Sequence, residues 1–126
     1  MSGRWRILRN AATGKVVLAR ARWCSSFLCH LRGLMFVSDL PRDEGLLFVT
    51  GSESRANSTI HMLFMRISIG VVWLDKSGRV VDKVLAKPWR LAYGPRQPAQ
   101  YYIEANTDIL DRVKIGDVLR FDEVVS

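Results

Sequence analysis

Residues 4–7, Arg-Trp-Arg-Ile, alternate polar and apolar side chains. That period of two belongs to a half-buried strand. Residues 15–23 are rich in Val and Ala, lack breakers and read as a second strand, with 10–14 as the hairpin loop between them. Ser25 or Ser26 then caps a short helix on which Phe27, Leu28 and Leu31 share an apolar face, and Gly33 stops it. Pro41 and Gly45 bracket a turn before the apolar run 46–49. Residues 50–59, rich in Gly, Ser and Asn, read as a surface loop.

The stretch 60–74 is apolar but interrupted by Arg66, Ser68 and Gly70. Its second half, 69–74, is the strongest buried strand. The turn 75–78 folds it back on a hairpin partner over 79–85. Residues 87–98 contain three prolines and are expected to be irregular, followed by a strand over 101–104. Thr107 and Asp108 open a second short helix, Gly116 ends it, and 118–121 make a last strand. The pattern predicts a mainly β fold, one domain over 1–126, as a sandwich or barrel with one or two short helices. Trp5, Trp23, Phe48 and Trp73 fall on the apolar faces and are expected to be mostly buried.

An ordered set of short motifs runs through these elements: Gly33-Leu34-Met35, Leu40-Pro41, Gly45-Leu46-Leu47-Phe48, His61-Met62, Leu74-Asp75, Gly78-Arg79-Val80-Val81, Tyr102-Ile103-Glu104 and Gly116-Asp117. The set, spanning about residues 16–121, resembles the bacterial and archaeal domain of unknown function 192 family. The resemblance implies a compact β-sandwich or barrel with a short helix. It carries over no activity, cofactor or catalytic residue. Where members of that family show Pro and then Asp ahead of the buried strand, this chain has Ser68 and Gly70.

Composition changes the picture little: 48% hydrophobic and 25% charged residues over 126 positions are globular values. No apolar run approaches the ~20 residues of a membrane-spanning helix. Charge distribution says more. Of nineteen basic and twelve acidic side chains, seven basic ones precede the first acid, Asp39, so the net +7 belongs to the first third of the chain. Arg4, Arg6 and Arg9 break every apolar stretch that a secretory signal would need. The expectation is a cytoplasmic protein, taken as a monomer, with Cys24 and Cys29 as unpaired thiols. Their spacing, without a second pair, is no zinc signature.

Candidate chemistry is sparse. Arg4 with Arg6, and Arg20 with Arg22, each share a strand face. If the hairpin aligned those faces, four guanidiniums would form an anion site for a polyanion or nucleic acid. The competing reading is a solvated basic edge that resists aggregation. His30 and His61 have no acid close in sequence to make a nucleophile–base set. His61, Met62 and Met65 match a soft copper ligand set only in composition. Glu104, in an apolar strand, needs either an arginine partner or a raised pKa. Arg55, His61, Trp89 and Glu104 are the pocket candidates, and no cofactor or metal is implied. The reading is a non-catalytic binding or accessory module of unknown ligand. The rivals are polyanion or anionic-surface binding through the hairpin, a carbohydrate-binding or sugar-modifying domain with Trp89 beside Tyr93, and a small hydrolase or isomerase using Glu104 or a histidine.

Overall fold

The short apolar runs pair into one seven-stranded sheet. This computed structural model describes residues 4–124, the Phe27 side chain excepted. The strands are β1 (Trp5–Asn10), β2 (Val16–Cys24), β3 (Glu44–Ser54), β4 (Ile69–Leu74), β5 (Val80–Ala86), β6 (Ala99–Ala105) and β7 (Leu119–Glu123). Helix α1 (Phe27–Arg32) follows β2, and α2 (Ile109–Arg112) follows β6. The strand order is β5-β4-β6-β3-β2-β1-β7. Every neighbouring pair is antiparallel except β2 and β3. A parallel pair needs a crossover, and residues 25–43, carrying α1, supply it.

The sheet curls into a half-barrel whose edges meet at one end. There the Val80 amide donates to the Asp117 carbonyl at 2.7 Å and the Leu119 amide to Gly78 at 2.9 Å. Inside the curl, Leu8, Leu18, Leu47, Val72, Leu74, Ile103 and Leu119 pack with Ile109 of α2. Gly70 permits that closure. A Cβ at this position would stand 2.7 Å from the Ile109 side chain. Lys83 reaches over from β5, and its ammonium donates to the Leu110 and Val113 carbonyls at 2.6 and 2.9 Å, serving the open end of α2.

The other face of the sheet buries a second cluster that includes Phe48, Met62, Met65, Ile69, Val71, Trp73 and Tyr102. Helix α1 and the segments 34–40, 55–68 and 86–98 cover it. Trp73 fastens the cover by donating its indole N–H to the Ser58 carbonyl at 2.7 Å. Phe48 and Trp73 are fully buried; Trp5 and Trp23 are half-buried.

Several expectations are corrected. Cys24 and Cys29 are not free thiols but a disulfide. Cys24 ends β2 and Cys29 lies in the first turn of α1, so the strand-to-helix turn brings their Cα atoms to 5.7 Å, within bridging range. The segment expected as a loop from residue 50 is strand as far as Ser54, because β3 runs on to pair with Ala99. Helix α1 begins at its expected cap, with Ser26 Oγ accepting from the Cys29 amide, and ends at Gly33. Its apolar face is not buried, however: Leu28 is 72% and Leu31 52% exposed. The Phe27 side chain, expected on that face, lies outside the described residues.

Candidate functional site

The hairpin register decides the basic face. Trp5 stands opposite Arg22, and Arg6 opposite Ala21. Directly opposed residues share a face, so Arg20 and Arg22 lie with Trp5, whereas Arg6 lies with Trp23. The Arg20 guanidinium sits 4.4 Å from the Trp5 ring centroid, and that of Arg6 4.4 Å from Trp23. Arg20 also pairs with Glu44 at 3.3 Å, and Arg6 with Glu123 at 3.4 Å. The four-guanidinium cluster does not form. Arg4 is exposed just ahead of β1, and Arg22 edges an open groove of about 510 Å³ beside α1.

A smaller, more enclosed cleft lies on the other side of α1. Glu104 belongs to β6, flanked by Leu46 of β3 and Val71 of β4. It shares the second-cluster face with Tyr102. Glu104 is only 6% exposed, pairs with no described cation, and keeps its carboxyl group open to the cleft instead of sealing it in the core. Burial pushes its pKa up to about 8. The cleft beside it has a volume of about 50 Å³ and is lined by His30, Gly33, Thr59, His61, Tyr102 and Glu104 among others. That is room for a few water molecules or the tip of a ligand.

Its walls are rigid. The Phe48 and Tyr102 rings stack at 4.5 Å, and His30 packs edge-on against both. His30 Nε2 lies 3.0 Å from the Val49 carbonyl, which makes that nitrogen the donor. Its Nδ1, 3.2 Å from Tyr102 Oη, then accepts the phenol proton. Burial, and then the nearby Glu104 carboxyl, push the Tyr102 phenol above its ordinary range. His61 is held in the same tautomer: Nε2 faces the Leu31 carbonyl at 3.3 Å, and Nδ1 accepts from the Leu63 amide at 3.2 Å. Both nitrogens of each histidine are thus engaged by the protein. Glu104 and Arg32, which also lines the cleft, stand outside any ion pair with a described residue.

Of the pocket candidates, the fold brings together Glu104 and His61. Arg55 is elsewhere, donating to the Pro95 carbonyl at 3.2 Å. Trp89 is 59% exposed on an outer cluster of rings, and Tyr93, four residues on, accepts from the Lys87 amide. Sequence reasoning missed Tyr102 and Gly33 as neighbours of Glu104. Period-two spacing from Glu104 to Tyr102 was the available signal for the first; nothing local announced the second. Among the described residues no group of three His, Cys, Asp or Glu side chains is placed to hold a metal ion, and no helix is long and apolar enough to cross a membrane.

A single curled sheet with this strand order, a parallel β2/β3 pair and one crossover helix defines the fold. Two solved structures share the fold. A candidate transcription regulator from Sinorhizobium meliloti superposes with a TM-score of 0.80 at 22% identity, covering 93% of this chain and 92% of its own. A protein of unknown function from Novosphingobium aromaticivorans gives 0.79 at 20% identity, covering 92% and 83%. In sequence, the chain is 41% identical over 112 residues to a UPF0127 protein of Thermococcus kodakarensis, covering 87% of this chain and 69% of the relative. It is 36% identical over 118 residues to a UPF0127 protein of Pyrococcus furiosus, covering 92% and 98%. The chain belongs to the domain of unknown function 192 family, described as "Uncharacterized ACR", whose profile matches residues 8–121.

Proposed function

We propose that the chain is a binding module that takes a primary ammonium group into the cleft beneath α1, with Glu104 as its counter-charge. What carries the reading is the carboxyl group of a nearly buried residue opening into a preformed cavity, with Arg32 on its wall but in no ion pair with it. Such a group is satisfied by water when no ligand is bound and gains a charge partner when a cationic ligand displaces that water. With its pKa raised to about 8, Glu104 holds a proton at neutral pH. An incoming ammonium favours the carboxylate, so binding displaces that proton to solvent. The stacked Tyr102 and Phe48 rings and the engaged His30 give the cleft a fixed wall, which limits the ordering cost of binding.

The test is calorimetric titration with methylammonium chloride, run near pH 7 in two buffers of different ionisation enthalpy, with potassium chloride as control. Saturable methylammonium binding with proton release, lost in Glu104→Gln, supports the reading. No saturation, or a Glu104→Gln variant that binds as the parent does, overturns it.

A further inference from the structure

Three residues other than glycine adopt positive φ among those described, and all three are aromatic: Phe36 (66°), Phe64 (62°) and Trp89 (68°). They come from three separate loops yet form one cluster. The Phe36 and Phe64 rings lie 5.6 Å apart, and those of Phe64 and Trp89 5.0 Å apart. All three are exposed, by 55%, 46% and 59%. A left-handed backbone is unfavourable for bulky side chains and persists only where the surroundings impose it. The imposition is visible. The Phe36 amide donates to the Phe64 carbonyl at 3.1 Å, and the Trp89 amide to the Met62 carbonyl at 2.7 Å. The fold holds three large rings outward in a conformation that burial does not repay.

Further apolar side chains surround them. Of nine exposed large hydrophobic residues described, six lie in the segments covering this face: Phe36, Phe64, Trp89, Leu28, Leu31 and Leu91. The segments are knitted into one layer. His61 binds the Leu31 carbonyl, and the Met62 amide donates to the Arg90 carbonyl. The charge of the layer is mostly positive, with Asp39 its one acid. No acid precedes Asp39, none lies between Glu53 and Asp75, and none between Asp82 and Glu104. Arg32, Arg66, Lys87 and Arg90 are exposed in these stretches, and none of the four is in an ion pair with a described residue.

We propose that this face docks on an anionic phospholipid surface, with Phe36, Phe64 and Trp89 entering the interface and the four cations meeting the headgroups. Aromatic side chains favour the membrane–water boundary, and Lys and Arg are drawn to its negative potential. Nucleic acid fits less well, because the rings pack against one another instead of standing free for bases and the leucines have no base to stack on. A sugar site would call for acids near Trp89, and neither 55–68 nor 86–98, the segments that carry Phe64 and Trp89, holds one.

The experiment is co-sedimentation of the full chain with vesicles of phosphatidylcholine alone or with about one-third phosphatidylserine, at low and high salt. Phe64→Gly and Trp89→Gly are the informative variants, since glycine removes the ring and suits the left-handed backbone. Stability should hold or rise in both, while partition onto the phosphatidylserine vesicles falls about tenfold or more. The paired substitution Arg66→Ser with Arg90→Ser should weaken binding and flatten its salt dependence. Arg20→Ser with Arg22→Ser, on the hairpin, should leave it unchanged. Equal binding to both vesicle types, glycine variants that bind as the parent does, ring-dependent retention on DNA without vesicle binding, or a ring-dependent dimer in sedimentation velocity would each overturn the proposal.

Discussion

Gly33 closes over the carboxyl group of Glu104: a Cβ at Gly33 would stand 3.2 Å from Glu104 Oε1 and 3.4 Å from Phe48 Cζ. The glycine that ends α1 is therefore also the lid of the cleft. Its φ of 48° with ψ of −125° is a conformation that L side chains rarely adopt. Gly33→Ala combines backbone strain with contact on the acid, and should cost about 1–3 kcal/mol in denaturant unfolding.

Glu104 makes stability depend on pH in a stated direction. Its folded pKa of about 8 lies above the ordinary value of 4.5. The unfolded chain therefore loses this proton first as pH rises. The contribution of Glu104 is fully present below pH 4.5, is lost as pH climbs to 8, and is flat above that. Glu104→Gln removes this slope. The variant should be at least as stable as the parent at pH 8, with the difference between them shrinking towards pH 4.5. Urea midpoints of both proteins across this range provide the check.

The Cys24–Cys29 bond closes a loop with a sequence separation of 5. By the chain-entropy relation a loop this short is worth roughly 2 kcal/mol. Protein purified without reductant should titrate with no free thiol after denaturation, and reduction should lower its unfolding free energy by about that amount. Two titratable thiols in the unreduced protein would contradict the bond.

Arg20 and Arg22 no longer share a face with Arg6, and Arg20 is held between Trp5 and Glu44. Replacing both with Ser should change stability by no more than about 1 kcal/mol, as at other surface positions. Retention on heparin should shift only by the loss of two unit charges. A collapse of retention, beyond that seen for any other pair of exposed arginines, would restore the hairpin as a polyanion site.

Residue types at short range were enough to mark out most elements. The apolar run 69–74 became the fully buried β4, the turn 75–78 produced its hairpin with β5, and Ser26 and Gly33 set the two ends of α1. Such features are local: a period of two, a capping oxygen and a glycine stop act within a few residues. The family was legible for the same reason, since its motifs lie along the chain in order. Glu104 stood out because an acid in an apolar strand is anomalous wherever that strand sits. What the sequence could not contain was register and approach. Whether Arg6 and Arg20 share a face turns on which residues oppose one another across β1 and β2. Whether Glu104 meets an arginine depends on how three strands and a crossover helix converge: they bring Gly33 and Tyr102 against it and leave Arg32 on the wall of the same cleft, outside any ion pair. Likewise Cys24 and Cys29 met through the geometry of one turn, and Leu31 stayed exposed because α1 offers the sheet its other side. Phe36, Phe64 and Trp89 are far apart in sequence and ordinary as residues. Only the packing of three loops made them one outward-facing cluster, because long-range contacts are set by the whole fold and not by neighbours in the chain.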